Sequence, residues 1–533
     1  MAGQETTVAP PVTTPPDADG DAVRRPVLLV GAVGALLMLV GAGGASLWTD
    51  EAATVSAATR PWGELVAMAG GLDAVHTAYY AFMHVWIGVF GTSELALRSA
   101  SALAVGLVAA GTWVLAARLG GRGLAWWAAA TVLLLPRVTW MGAEARPFAF
   151  ATAAGVWGTV LLLAAVRRGG AARWVGYAAL MVVAVLTNLY TLLLLPAHAV
   201  TLLLGHRSRA TVVRWCGAAG AVAVVVGPFL VLAAGQTGQL GRHTMSAVEL
   251  ARNVVVNQWF LGETPTVYSR DAAVVAAAGA GAGSWWRPAS VLLAGVAVAV
   301  VAYALLRWWR HRPVPAPVRA VLVWTVPWVV VPTVVVVAWA VVSQTYSSRY
   351  LAFCAPAVAI LLAAALRELP TRPLRVAAVV ALVACALPVL VSQRTEHAKS
   401  GADWREVAAV VGDACDPGDG AYFAPRAAPT GSTVRLTTRG VSVAYPEGYD
   451  GLVDVTLVAD PLETDDLVGR SALLRDSGAR LASLDTLCVV RRHDLPAAVR
   501  DADDVYLSEG GWVVRDRWEG PLDEVVVLER APG

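Results

Sequence analysis

The chain of 533 residues is 57% hydrophobic and only 15% charged, with a mean hydropathy of +0.59. That is too apolar for a water-soluble protein of this length, so a bilayer is the expected solvent. A formal net charge of +2 supplies no basic field for nucleic acid, and none of the five cysteines makes a CxxC or other metal-binding spacing.

Residues 1–26 are rich in Pro, Thr, Ala and Asp without apolar periodicity and read as a disordered, cytoplasmic tail. The apolar run from Val27 to Trp48 is too long for a signal peptide and shows no small-residue cleavage pattern ahead of a soluble domain, so it is expected to be an uncleaved first span. About eleven segments reach the roughly 20 apolar residues that a transmembrane helix needs. They lie near 27–47, 95–117, 123–140, 147–166, 173–189, 190–205, 211–233, 289–306, 319–342, 350–366 and 374–391, the fifth abutting the sixth.

Arginines at 24/25, 118/122, 167/168/173, 207/209/214, 307/310/312/319 and 367/372/375 fall on alternate loops, which the positive-inside rule makes cytoplasmic. The expected localisation is therefore the plasma membrane, with a cytoplasmic N-terminus and an extracytoplasmic C-terminal domain. The segment DAVHTAYYAFMHVWIGVFG at 73–91 is apolar enough to span, but counting it would put every later arginine cluster outside. It is expected as an amphipathic helix on the outer surface, with Tyr79, Tyr80 and Trp86 as interfacial aromatics.

After 27–392, the presumptive membrane domain, composition shifts abruptly to Asp, Gly and Arg with short valine-rich runs. Residues 393–533 read as a soluble α/β domain, with a helix at DWREVAAVVGDAC, strands at GLVDVTLVAD and DEVVVLER, and a hairpin turn at EGGW. The fold class is thus membrane all-α with outer juxtamembrane helices, plus this domain. Cys415 and Cys488 could form a disulfide there.

The candidate chemistry lies on the outer loops. TDEAATVSAATR sets Asp50 and Glu51 where the first span ends; ionisable groups at membrane depth are costly and tend to be functional or paired. Asp50 could act as a general base toward a hydroxyl, or could be the N-cap of a surface helix with Glu51 in its first turn. Glu144 and Arg146 in GAEARPF could pair with each other or flank an acceptor. In SQTYSSRY, Arg349 stands beside Tyr346 and Tyr350, and an arginine fork suits a phosphate, although it could also snorkel to headgroups. His76, Tyr80, Asn188 and Tyr190 are weaker candidates for lining the site. His198, inside a span, reads as a packing residue. Arg242 and His243 could reach a phosphate if their loop folds back, and the Gly/Ala run at 272–283 reads as a mobile lid. No P-loop, Rossmann fingerprint, HExxH or nucleophile elbow occurs in its required context.

Taken in order, WTDEA at 48–52, HTAYYAFMHVWIGVFGTSELALRSAS, EARPFAF, NLYTLLLLPAH and SSRYLAFCAPAVAIL resemble the GT-C glycosyltransferases, particularly the family 39-like membrane enzymes of actinobacteria. The resemblance covers roughly the first three quarters of the chain. It implies an inverting transfer of a sugar, mannose first and arabinofuranose second, from a polyprenyl-phosphate donor to an extracytoplasmic glycan, glycolipid or protein. It also implies Asp50 as base with Glu51 beside it, and Arg349 with Tyr346 on the donor phosphate. His76-Thr77-Ala78 stands where many relatives show prolines. No cofactor is called for by the residues, although some relatives use a divalent ion. A lipid or glycan transporter and a wall-binding scaffold are the rival readings; clustering of the charged groups at one face disfavours the first, and eleven spans are excessive for the second.

Overall fold

The computed structural model describes residues 20–236, 245–262, 285–310, 313–343, 346–427, 437–464 and 466–531. Arg242, His243, the 272–283 run and most of the N-terminal tail lie outside them. Each of the eleven expected spans contains helix, although the first, expected over 27–47, is helical only as far as Leu39 and ends in turns. In chain order the helices are α1 (Gly20–Leu39), α2 (Thr49–Ala58), α3 (Trp62–Gly71), α4 (Thr77–Phe90), α5 (Glu94–Leu134), α6 (Pro136–Met141), α7 (Phe148–Arg168), α8 (Ala171–Thr187), α9 (Leu194–Gly205) and α10 (Arg209–Gly235). They continue with α11 (Ala247–Arg252), α12 (Trp286–Arg310), α13 (Ala316–Ser343), α14 (Ala355–Arg367) and α15 (Arg372–Ser392). Among the described residues, seven helices are long and apolar enough to cross a membrane by length and composition.

The departures from the expected spans have local causes. α5 covers two of them and breaks at Gly120–Gly121, where Gly121 takes φ 83, a backbone region that a side chain would disfavour. Its second arm stops before Pro136, where Leu135 takes the extended backbone that a residue ahead of proline favours; the remainder of the expected 123–140 span is the short α6. The fifth and sixth spans part at Asn188, which leaves the helical region and caps Tyr190 N–H with its side chain. α9, at 12 residues, is about 18 Å long and cannot cross a hydrocarbon core alone. Residues 73–91 form a 3-10 turn and the 14-residue α4, which is likewise too short to span.

The arginine-bearing turns gather at one end of the bundle. Arg167 donates to Arg118 O and Arg375 to Arg367 O, while Arg307 pairs with Glu368. Between the helices, His198 is buried with both ring nitrogens held, by Tyr177 and Thr159 at 3.0 and 3.1 Å, a packing arrangement.

The C-terminal domain begins with α16 (Trp404–Ala414), which buries Trp404, Val407, Ala408 and Val411 along one stripe. Its five-stranded sheet runs β2 (Val453–Asp454), β1 (Gly420–Ala424), β5 (Thr486–Arg492), β7 (Asp523–Arg530), β6 (Trp512–Glu519). β1 lies parallel to β2 and β5, whereas β7 is antiparallel to both neighbours. A two-stranded ribbon of β3 (Leu457–Ala459) and β4 (Arg470–Ser471) completes it. The valine run of β7 is buried on both faces, as a central strand requires. EGGW is not a hairpin turn: it ends α17 (Ala497–Glu509) and leads into β6, and the hairpin comes one strand later, where Glu519 pairs with Glu524. Cys415, at the end of α16, is disulfide-bonded to Cys488 on β5.

Trp404 Nε1 donates to Asp523, and the backbone N–H groups of Leu522 and Asp523 donate to Asp403. Both carboxyls are buried, and burial holds both above the ordinary range; Asp523 stands the further above it because the Asp403 charge facing it adds to the effect of burial. The folded chain therefore keeps a proton that the unfolded chain releases. Stability from this pair is full below the ordinary carboxylate pKa and declines as pH rises toward the folded value. In Asp523→Asn the amide donates at every pH. The difference in unfolding free energy between wild type and variant should follow pH with a slope of up to about 1.4 kcal/mol per unit. Thermal unfolding of the full chain across pH checks it, and parallel curves would refute it.

This domain packs on the end of the bundle that carries α2 to α4, through one continuous apolar core. Tyr445 joins Leu47 N–H and Glu94, Arg405 pairs with Glu94, Ser56 donates to Leu467 O and Arg60 to Asp466 O.

Candidate functional site

The site is built around the first turn of α2. Its N-cap is Trp48, in extended conformation and without a side-chain cap, so Asp50 is the second helical residue and not the N-cap. Two acids in a first turn suit the positive helix terminus. Neighbours along a helix point about 100° apart, however, and the two carboxylates go to different environments.

Glu51 turns into the protein and is 0% exposed. Arg98, on α5, grips it bidentately at 2.8 and 2.6 Å, and Ala145 N–H adds a third bond at 2.9 Å. The other guanidinium hydrogens go to Ala42 O, Ala45 O and Ser46 O, so all five donors of Arg98 are used. Burial alone would raise the Glu51 pKa; Arg98 overrides it and holds the group below its usual value. This carboxylate fastens the end of the first span to α5 and to the 142–147 turn, and no substrate can reach it. Where Glu51 was expected beside the base, the structure places it as a buried anchor bonded to Arg98 and to Ala145 N–H.

Asp50 faces the other way. Arg349, 299 positions later on a 3-10 turn (Ser348–Cys354), donates Nη1 to Asp50 Oδ2 at 2.5 Å. Its guanidinium also lies 5.8 Å from the ring centroids of both Trp48 and Phe148. Arg349 is therefore turned inward against an acid and two aromatic faces, and does not snorkel to headgroups. Arg146 donates to Asp50 O at 3.2 Å and to the Tyr80 hydroxyl at 3.3 Å, and Tyr80 donates to Asp73. Tyr79 and Tyr80 are buried, at 1% and 0% exposure, so they are not interfacial aromatics. The outward ladder on this part of the chain is Phe82, Trp86 and Phe90. His76 packs against Tyr80, and burial pushes its pKa down to about 4, leaving it neutral at pH 7.

Asn188 donates to Tyr350 O at 3.1 Å, and the Tyr190 and Tyr350 rings stack 4.5 Å apart; this layer supports the Arg349 turn from behind. The Tyr346 hydroxyl goes to Gln258 at 2.7 Å, next to Arg137, which donates to Ser348 Oγ at 3.0 Å. Glu144 is fully buried on the turn that carries Arg146.

Three contributors escaped sequence reading. Arg98 carried a signal, a charge just inside a span. Asp73 and Lys399 carried none beyond their type; the Lys399 ammonium packs 3.7 Å from the Trp140 ring centroid.

The side chains that reach Asp50 include the guanidinium donors of Arg349 and Arg146, which suit an anion. Lone-pair donors converge elsewhere among the described residues, at Glu396, His397 and Glu406, whose ligand atoms lie within 4.8 Å of one another.

No protein-family profile matches the chain, and no curated protein matches it in sequence. Its structure is similar to ArnT from Cupriavidus metallidurans bound to undecaprenyl phosphate, at 15% identity and a TM-score of 0.53, covering 94% of this chain and 97% of that one. It is similar as well to the apo state of the same protein, at 14% identity and a TM-score of 0.56, covering 95% and 98%. Membrane helices, short helices after the first span and a C-terminal sheet domain together give this chain the same overall fold as that ArnT structure.

Proposed function

We propose that the chain is an inverting glycosyltransferase that moves a sugar from a polyprenyl-phosphate donor to an acceptor hydroxyl, with Asp50 as the base and Arg349 on the donor phosphate. The observation that carries this reading is the Asp50–Arg349 pair. It sets a proton acceptor and a phosphate-type cation side by side, next to Arg146 and beside the Glu51–Arg98 anchor. A lipid phosphate entering there would draw Arg349 to itself and release the Asp50 carboxylate. The acceptor oxygen then bonds to the anomeric carbon as its proton passes to Asp50. The bond from that carbon to the phosphate oxygen breaks, and its electron pair leaves on the phosphate, opposite Arg349. The undecaprenyl phosphate bound by ArnT supports a donor of this class.

Mannose is the sugar we put first, as the resemblance implies, and arabinofuranose second; a lipoglycan, wall polysaccharide or protein is the acceptor class. Membranes carrying the chain, given radiolabelled polyprenyl-phosphate mannose or arabinofuranose, are expected to transfer label above membranes lacking it. Arg349→Gln should raise the donor KM by roughly tenfold or more, because one charge-assisted phosphate contact is lost. Equal incorporation with and without the chain would sink the proposal.

We further place the 27–392 membrane part in the plasma membrane, with the N-terminus cytoplasmic and both the site and the 393–533 domain outside. The arginine ladder and the shared end of the site and the domain support this. A reporter fused after residue 533 should read as extracytoplasmic, and a cytoplasmic reading would overturn it.

A further inference from the structure

Lys399 is the single lysine among the 41 basic residues of the chain, and it is 1% exposed. It lies in the run of turns between α15 and α16, four residues before Asp403. Nζ sits over the Trp140 ring and has no hydrogen-bond partner among the described residues. The charged groups in its field are Glu51 and Glu144, which attract it, and Arg98 and Arg394, which repel it. A compact ammonium can rest on an indole face with few acceptors, whereas a guanidinium carries five hydrogens to satisfy. That distinction accounts for a lysine at this position in a chain otherwise built with arginine.

We propose that Lys399 is a positioning residue of the Asp50 site: its ammonium balances the buried Glu51 and Glu144 carboxylates and so pins the connector of the C-terminal domain against the turn that carries Arg146. The turn hangs from α2 by Ala145 N–H to Glu51 and by Thr54 Oγ1 to Ala145 O at 3.0 Å. Glu144 and Arg146 flank that anchor on either side. Lys399, seated on Trp140 just before the turn, brings positive charge into the field of Glu144 from the connector, while Arg146 reaches Asp50 and Tyr80. Docking of the C-terminal domain thereby sets the place of Arg146. The consequence for donor binding rests on the proposed function.

The test uses full-length protein and undecaprenyl phosphate as the probe. Lys399→Met should weaken its binding by about tenfold, the scale at which a supporting contact couples to a site. Lys399→Arg, which keeps the charge but brings five hydrogens to a place with few acceptors, should recover only part of that loss. Unchanged binding in Lys399→Met, or no recovery in Lys399→Arg, overturns the proposal. If wild type does not bind the lipid at all, the donor reading fails and a second measurement decides the role of Lys399. With isotopically labelled lysine the chain gives one side-chain signal. That signal should move in Glu144→Gln and stay in place in Asp503→Asn, a substitution in the C-terminal domain; no movement in Glu144→Gln overturns the proposed charge balance.

Discussion

Asp50→Asn is expected to abolish transfer while leaving the donor bound as tightly as in wild type, or more tightly. An amide has nearly the shape of the carboxylate but cannot take a proton from the acceptor, and a positioned base contributes about 10²- to 10⁴-fold. The loss should fall on kcat. Donor affinity has the opposite expectation, because Arg349 now spends its Nη1 hydrogen on Asp50; with that carboxylate neutralised, the guanidinium is left for the phosphate. Single-turnover transfer of labelled sugar, with binding measured separately, distinguishes the two. Turnover equal to wild type would remove Asp50 from the chemistry, and weakened donor binding would assign it a structural part instead.

Arg98→Leu is expected to cost the fold itself. The change leaves the Glu51 carboxylate charged, buried and short of its partner, and strips Ala42 O, Ala45 O and Ser46 O of their donors at the end of the first span. Breaking a fully buried pair costs about 3–5 kcal/mol, comparable with the whole net stability of many domains. Little folded protein should survive detergent extraction, as read by size-exclusion chromatography and thermal unfolding. Glu51→Gln should be destabilised for the complementary reason, since its amide hydrogens meet donors of Arg98. The double variant Glu51→Leu/Arg98→Leu should be less harmed than the sum of its singles. The pair also brings acid sensitivity. The folded Glu51 pKa is depressed, so its contribution is complete above the ordinary carboxylate range and is lost as pH falls through the folded value. If Glu51→Gln folded like wild type and lost only turnover, the carboxylate would belong to the chemistry after all.

The contrast between Asp50 and Glu51 marks the limit of what a linear reading can reach. Both were visible as acids at the end of a span, with Asp50 read as the base and Glu51 as its neighbour. A helix sends adjacent side chains apart, so one met Arg98 and the other Arg349, and neither partner's distance along the chain hints at the pairing. Tyr80 shows the same limit. Its place on an apolar 73–91 segment suggested a lipid-facing ring, yet the turn at Asp73 rotates α4 so that Tyr80 is buried between Asp73 and Arg146. EGGW misled because two glycines serve a helix end as readily as a hairpin.

What the amino-acid order determined by itself is whatever depends on local composition. Apolar runs of bilayer length had to become helices because lipid leaves backbone polar groups no other partner. The arginine periodicity put one set of turns at one end of the bundle, and the drop in hydropathy after Ser392 marked a separate sheet domain. Tertiary structure alone decided which charges meet. Asp50 with Arg349, Glu51 with Arg98 and Lys399 over Trp140 each join segments that are remote in sequence. Burying an ion is tolerable only where folding delivers a counter-charge or an aromatic face, and that delivery depends on how the helices and the C-terminal domain pack around the end of the first span.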